Sequence, residues 1–150
     1  MKVRLKHMTK PIKLIFSTLF VTYVLLLAYL TFFSHYYGRG IVRRSINVLP
    51  FNTIFEFLMS GYNINTIITN LIGNIAAFMP MGFLLTIVFK RLNTFLRICT
   101  AILFASIFIE VVQFFAGVGA SDIDDVILNM LGGIMGYWIY RLFIKLRWFD

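Results

Sequence analysis

Four predominantly apolar segments, at approximately 12–33, 66–89, 94–115 and 121–144, constrain this chain more than any other feature of its sequence. An apolar stretch of about 20 residues is long enough to cross the hydrocarbon core of a bilayer as a helix, because that core is roughly 30 Å thick. The sequence therefore predicts an all-α fold: a polytopic membrane protein built as a four-transmembrane-helix bundle.

Composition leaves little room for anything besides this membrane domain. The chain is 60% hydrophobic and only 13% charged over its 150 residues, so we predict a single domain spanning 1–150. Cys99 is the lone cysteine, which excludes a disulfide or a cysteine metal site within one chain. The net charge of +8 comes from Lys and Arg residues that flank the apolar segments, so we expect no nucleic-acid partner.

The distribution of basic residues predicts the orientation of the chain. All but three of the 14 Lys and Arg residues fall on the side that holds both termini, and the exceptions are Arg39, Arg43 and Arg44. The positive-inside rule then predicts a multi-pass protein of the cell membrane with N- and C-termini cytoplasmic. The basic N-terminus and the apolar run 14–33 resemble a secretory signal. That run is too long and lacks a small-x-small cleavage site, so we interpret it as an uncleaved first helix.

The connection between the first two spans contains a shorter helix. Thr53 and Glu56 have the spacing of a capping box, which predicts a helix that begins near Asn52 or Thr53. A helical body of about nine residues is too short to cross a bilayer. We therefore expect the segment 46–62 to form an external interfacial or re-entrant helix.

Acidic residues are concentrated around the last two spans. Four of the six in the chain are Glu110, Asp122, Asp124 and Asp125, although one charge at the centre of a membrane helix costs about 2.5 to 3.5 kcal/mol. Ser121 and Asp122 suit the N-terminus of the fourth helix, where capping oxygens and carboxylates are favourable. Asp124 is expected to face solvent or lipid headgroups.

Amides accompany these carboxylates. Asn129 shares a stripe of the fourth helix with Asp125, while Asn74 shares a face of the second helix with Asn70. A rise of about 1.5 Å per residue puts Asn74, Glu110 and Asn129 at one level in the outer half of the bilayer, so spans two, three and four should surround a site. Hydrogen bonding that only joins the helices, worth about 0.6 to 2 kcal/mol per interaction, remains the alternative, above all for Asn70 and Asn74.

Proline and glycine residues shape the second and fourth spans. Pro80 has no amide N–H to donate a hydrogen bond to the carbonyl of Ala76, so we expect a kink in the second helix. Gly82 should make the helix more flexible near this kink. Gly132 and Gly136 form a small-x-x-x-small pattern, which predicts close contact with another helix.

RSINVLPF, NLIGNIAAFMPMGFLL, EVVQ and SDIDDVILNMLGG follow one another along the chain, between about 44 and 136. In order and spacing these blocks resemble the hallmark segments of the VanZ-like family of bacterial integral membrane proteins. The resemblance implies a candidate ligand-binding cluster made of the family's signature polar residues: Arg44, Asn47, Asn70, Asn74, Glu110, Gln113, Asp122, Asp125 and Asn129. It also implies the backbone markers Pro50, Pro80, Gly82 and Gly132.

One position departs from the family pattern. Many members carry an arginine just before the aspartate-rich segment, where this chain has Gly119, Ala120 and Ser121. If that arginine pairs with a carboxylate in other members, Arg43 or Arg44 is the available substitute here.

The resemblance also implies a role in the cell envelope, because the founding member of the family is associated with low-level resistance to teicoplanin. We expect this chain to bind a lipid-like or glycopeptide amphiphile at the outer leaflet and to contribute to teicoplanin or lipoglycopeptide resistance. Its partners would be membrane lipids and a lipid-linked cell-wall intermediate or a lipoglycopeptide, and both a monomer and an oligomer remain open.

Two other classes of function fit the same residues. An intramembrane enzyme would use Glu110 and Asp125 to hold a divalent cation, or as an acid/base pair that acts on a lipid phosphate. A small proton-coupled lipid transporter would protonate and deprotonate Glu110. No serine, cysteine or histidine is convincingly placed as a nucleophile and no cofactor or resident metal is expected, so the sequence leaves enzymatic activity open.

Overall fold

The fold is a bundle of four long helices and one short helix. The computed structural model describes residues 10–33, 45–59 and 61–146. The helices, in chain order, are α1 (Lys10–Phe32), α2 (Asn52–Met59), α3 (Ile64–Ile67), α4 (Gly73–Val88), α5 (Phe95–Ala116) and α6 (Ile123–Leu146). A π-helical segment, Ile68–Ile72, joins α3 to α4 into one continuous helix.

Four of these helical runs are long and apolar enough to cross a membrane: Lys10–Phe32, Ile64–Val88, Phe95–Ala116 and Ile123–Lys145. The all-α, four-span fold expected from the sequence is therefore confirmed, and the chain is a multi-pass membrane protein. The helix ends fall within two residues of the predicted boundaries.

The second span departs from a regular α-helix in two places. The π-helical segment was not expected from the sequence, and it changes the angular offset between the side chains on its two sides. Further along, α4 remains helical through Pro80, and the kink expected there stays a prediction. The hydroxyl of Tyr23 on α1 donates a 2.6 Å hydrogen bond to the carbonyl of Ala77 near this proline, which ties α1 to α4.

Glycines bring the backbones of α4 and α6 into direct contact. A Cβ atom at Gly132 would overlap the carbonyl of Ile75, and one at Gly136 would overlap the carbonyl of Met79. Gly82 lies equally close to the backbone of α6. The close contact predicted from the small-x-x-x-small pattern is therefore confirmed, and α4 with α6 forms the most extensive helix pair in the bundle.

The other two long helices pack around this pair. α5 lies against α6 and places the fully buried Ile98 and Ile102 in the core beside Phe78 of α4. α1 lies mainly against α4 and buries only Leu27 and Thr31, so most of its apolar surface faces outward. That arrangement suits a helix at the edge of a bundle in lipid, where apolar side chains lose nothing by exposure.

A two-residue parallel strand pair connects the loop before α2 to the start of α6. β1 (Ile46–Asn47) pairs with β2 (Ser121–Asp122). The amide of Ser121 also donates a 3.0 Å hydrogen bond to the carbonyl of Ser45, just before β1. The short helix α2 begins at Asn52, as predicted, and Phe55, Leu58 and Met59 on it are exposed. Its depth in the membrane stays a prediction.

Candidate functional site

The predicted polar residues gather at the end of the bundle where α5 finishes and α6 begins. The short turn 117–120 joins these helices, so the last turns of α5 lie beside the first turns of α6. Five of the predicted residues form hydrogen bonds there: Asn47 and Glu110 each bond to Asp122, and Asn74 bonds to Asp125. They come from β1, α4, α5 and α6, which are distant in sequence.

Asp122 caps α6 and holds the preceding loop. Its Oδ1 atom accepts a 2.9 Å hydrogen bond from the amide of Asp124 and a 3.0 Å bond from the side-chain amide of Asn47. Its Oδ2 atom accepts a 2.5 Å bond from the hydroxyl of Thr53. Of the two residues predicted to cap α6, Ser121 and Asp122, it is therefore Asp122 that caps the helix. Both of its carboxylate oxygens accept from protein donors.

Asp124 caps a different helix from the one that carries it. Its Oδ1 atom accepts a 2.5 Å bond from the amide of Phe51, and its Oδ2 atom accepts a 3.1 Å bond from the amide of Ile54, at the start of α2. The side chain is 0% exposed. The prediction that Asp124 faces solvent or headgroups is wrong, and so is the capping box, because Thr53 binds Asp122 and Glu56 accepts from Tyr62.

A sequence signal for this role existed. The residues before α2 are Leu49, Pro50 and Phe51, and none of them has a side-chain oxygen that could accept from the first amides of the helix. Those amides needed an acceptor from elsewhere in the chain. Phe51 also has a positive φ of 66°, a conformation that side-chain-bearing residues rarely adopt, and its bond to Asp124 helps to hold it there.

Glu110 and Asp125 connect the spans themselves. Glu110 is 4% exposed, and its Oε2 atom accepts a 3.0 Å bond from the amide of Asp122 across the α5–α6 turn. Asp125 is half-buried and its Oδ1 atom accepts a 2.6 Å bond from the side-chain amide of Asn74, which joins α6 to α4. Both carboxylates have further interactions in the structure.

Asn129 lies one helical turn below Asp125 and contacts α5. Its Nδ2 atom donates a 2.9 Å bond to the hydroxyl of Ser106, which is one turn below Glu110. Asn129 is 3% exposed, and its Oδ1 atom is the one buried side-chain oxygen or nitrogen without a partner within the described ranges. Ser106 was not predicted, although its spacing of four residues from Glu110 puts it on the same face of α5.

Two members of the predicted cluster bond elsewhere, and a third lies outside the described residues. Asn70, within the π-helical segment, donates a 2.8 Å bond to the carbonyl of Thr66 in its own helix. Gln113 is buried and donates a 3.4 Å bond to the carbonyl of Thr31 on α1. Arg44 lies outside the described residues.

The predicted common level is only partly right. Glu110 lies beside Asp122 at the first turn of α6, whereas Asn129 lies seven positions further along that helix, roughly 10 Å lower by the helical rise. The polar residues therefore form a column of about two helical turns between α4, α5 and α6. We call Asn74, Ser106, Glu110, Asp125 and Asn129 the inner cluster, and Asp122 and Asp124 the outer carboxylates.

The charges of the described residues are separated along the bundle. The acidic residues above lie at one end, whereas Lys90, Arg91 and Arg97 lie at the other end, around the turn between α4 and α5. Arg141 and Lys145 lie at that same basic end, in the last turns of α6. The two ends of the bundle are therefore electrostatically distinct.

The chemistry that this arrangement offers is dominated by oxygen acceptors. Within residues 10–33, 45–59 and 61–146, no group of three or more His, Cys, Asp or Glu side chains is arranged to hold a metal ion. Ser106 is fully buried and accepts from Asn129, which is not the arrangement of an activated nucleophile. The inner cluster is better suited to accept hydrogen bonds from a polar headgroup.

Comparison with known proteins places the sequence among relatives. The family model described as VanZ/LLP1 matches residues 20–144. Among curated proteins, "Protein VanZ" of Enterococcus faecium is 32% identical over 134 residues, which cover 87% of this chain and 76% of that protein. No solved structure matches the chain.

Proposed function

Because this chain belongs to the VanZ/LLP1 family, we propose that it binds the headgroup of an amphiphile at the outer leaflet of the cell membrane and thereby contributes to teicoplanin or lipoglycopeptide resistance. The ligand is a membrane lipid, a lipid-linked cell-wall intermediate or the lipoglycopeptide itself. Each combines a polar head with an acyl or prenyl chain.

One observation carries this proposal. Buried carboxylates and amides from α4, α5 and α6 converge at one end of a bundle whose outer surface is apolar. Burying them is costly, and a set of polar groups that faces inward between membrane spans usually marks the path or the seat of a polar ligand. An amphiphile fits both surfaces at once, since its head reaches the acceptors while its chain stays against the apolar exterior.

The outer-leaflet location is supported by the separation of charge along the bundle. The basic end, with Lys90, Arg91 and Arg97, is the cytoplasmic end under the positive-inside rule, which leaves the acidic end outside. In this proposal both termini are cytoplasmic.

The experiment combines a binding assay with a resistance phenotype. A host that expresses the chain is grown on teicoplanin, and the purified protein is titrated with an acyl-labelled lipid. Glu110→Gln keeps a carbonyl oxygen that can accept from the Asp122 amide, so a binding protein should retain affinity within about threefold and keep its resistance phenotype. Glu56→Gln, which changes an exposed carboxylate on α2, is the matched control.

Arg44 gives the complementary test. Arg44→Ala removes a positive charge that we propose binds a phosphate or carboxylate, and it should weaken lipid binding about tenfold. Arg97→Ala, at the opposite end of the bundle, should leave binding unchanged.

The opposite pattern would contradict the binding proposal. If Glu110→Gln or Asp125→Asn abolishes resistance at normal expression while lipid affinity is unaffected, the residues act chemically and the enzyme hypothesis gains. Loss of resistance on metal removal would favour the cation version of that hypothesis. Lipid flux in proteoliposomes that follows a pH gradient would favour the transporter.

A further inference from the structure

The inner cluster contains a buried acceptor whose partner is missing from the chain. The Oδ1 atom of Asn129 has no donor, although the side chain is 3% exposed and its own Nδ2 atom is bonded to Ser106. Buried polar atoms in folded proteins are nearly always paired, and a native exception calls for a water, an ion or a ligand. By contrast, both oxygens of Asp122 and of Asp124 accept from protein donors.

The position of this oxygen links it to the proposed site. Asn129 lies one turn below Asp125 on α6, and its partner Ser106 lies one turn below Glu110 on α5. Beneath them the column is closed, because the side chain of Ile102 fills the space beside Gly133. Asn129 is therefore the deepest residue of the polar column. The carboxylates of Glu110 and Asp125 lie between it and the acidic end of the bundle.

Resting on the function proposed above, we propose that Asn129 Oδ1 accepts a hydrogen bond from a primary ammonium group on the headgroup of the bound amphiphile. A ligand that pairs with this buried oxygen must carry an N–H or O–H donor. The carboxylate of Asp125, one turn above Asn129 on the same helix, favours a cationic donor over a neutral hydroxyl. A trimethylated ammonium has the same charge but no N–H, so it cannot make this bond.

This difference defines the probes. The protein, purified as the full chain in detergent, is titrated with phosphatidylethanolamine and phosphatidylcholine that share one pair of acyl chains and one fluorescent acyl label. These lipids have the same phosphate and the same net charge, and they differ in the N–H donors of the headgroup. We expect phosphatidylethanolamine to bind about tenfold more tightly, which corresponds to about 1.4 kcal/mol.

A second pair of probes separates the possible sources of the ammonium group. Dodecylamine and dodecyltrimethylammonium differ in the same way but lack a phosphate. Tighter binding of the primary amine in both pairs supports an ammonium-binding site that accepts any amphiphile with a primary amine. Preference in the phospholipid pair alone supports a phospholipid headgroup as the ligand.

Asn129→Leu tests the residue. Leucine has nearly the same shape but neither donor nor acceptor, so it removes the unpaired oxygen, and Ser106 can donate to a carbonyl of its own helix. We expect the preference for the primary amine to disappear while the midpoint of thermal unfolding stays equal or rises. A residue that only joined α5 to α6 would lower that midpoint instead.

Asn70→Leu is the matched control, since it removes a half-buried amide that lies outside the inner cluster and bonds within its own helix, so the preference should persist. Equal affinity of the unaltered protein for both lipids, as expected if only a water occupies the oxygen, would overturn the inference without any variant having to fold. A preference that survives Asn129→Leu would overturn it too. If neither lipid binds at all, the inference is overturned, and if the chain in addition confers no teicoplanin resistance on its host, the proposed function itself fails.

Discussion

The two parts of the acidic end use the same residue types for different purposes. The outer carboxylates, Asp122 and Asp124, have a protein donor on every oxygen and hold the loop before α2 against the start of α6. The inner cluster joins spans instead of loops, and it contains the unpaired Oδ1 atom of Asn129. Within the described residues, the unpaired oxygen of Asn129 is what distinguishes the inner cluster from the outer carboxylates.

This difference changes how an acidic residue in a membrane protein should be interpreted. A buried carboxylate with all its oxygens occupied by backbone and side-chain donors is explained by the fold, and a functional role is not required. Asp124 is the clearest example, because it is fully buried and still binds only the start of α2. Variants of the two parts should therefore separate stability from function.

The largest expected effect is on the outer carboxylates. Asp124→Ala leaves the amides of Phe51 and Ile54 without acceptors and should lower the free energy of unfolding by about 3 kcal/mol, as two hydrogen bonds to a charged group are lost. Thermal unfolding in detergent measures it. Glu56→Ala, an exposed carboxylate on the same short helix, should change stability by less than about 0.5 kcal/mol. Equal effects of the two substitutions would remove the distinction between the two parts.

An intermediate effect is expected in the inner cluster. Asn74→Ala removes the 2.6 Å bond to Asp125 and should lower the free energy of unfolding by about 1.5 kcal/mol, a loss limited by the further interactions of Asp125. The same substitution should reduce lipid affinity in the titration described above. Asn70→Ala is the matched control on the same span, because its bond stays within its own helix, and it should change neither quantity appreciably. A comparable loss of stability and lipid affinity in both variants would mean that the bond between Asn74 and Asp125 makes no specific contribution.

The smallest effect concerns the strained residue that Asp124 holds. Phe51→Gly relieves the positive φ of 66° and should raise the free energy of unfolding by about 0.5 kcal/mol, the gain left after the entropy that glycine costs. Phe55→Gly removes an equally exposed phenyl ring from within α2 and should lower stability by about as much. Chemical denaturation of both variants gives the two signs. The same sign in both would show that the conformation of Phe51 stores no strain.

Hydropathy and small-residue spacing were enough to predict the frame of the molecule. The four spans follow from segment length alone, and the approach of α4 to α6 follows from the spacing of Gly132 and Gly136. The residues of the acidic end could be chosen because buried charge in lipid is expensive and therefore rare. These rules are local, so they work without knowledge of the tertiary contacts.

The partners of the polar residues could not be predicted in the same way. Asp124 binds amides 73 and 70 positions earlier in the chain, and neither amide belongs to a residue type that would indicate this bond. The apolar sequence around Asn70 does not reveal the π-helical segment that contains it, nor that its side chain bonds within its own helix. The pairing of β1 with β2 involves only two residues on each side, which is too short for any periodic pattern.

The capping of α2 by Asp124 has a consequence for biosynthesis. The short helix leaves the ribosome before three of the four spans, yet the acceptor for its first amides belongs to the last of them. Until that final segment has been inserted, the loop between the first and second spans lacks the carboxylate that fixes it. The acidic end of the bundle is thus completed only after α6 has been made, by one side chain that links the loop between the first two spans to the fourth.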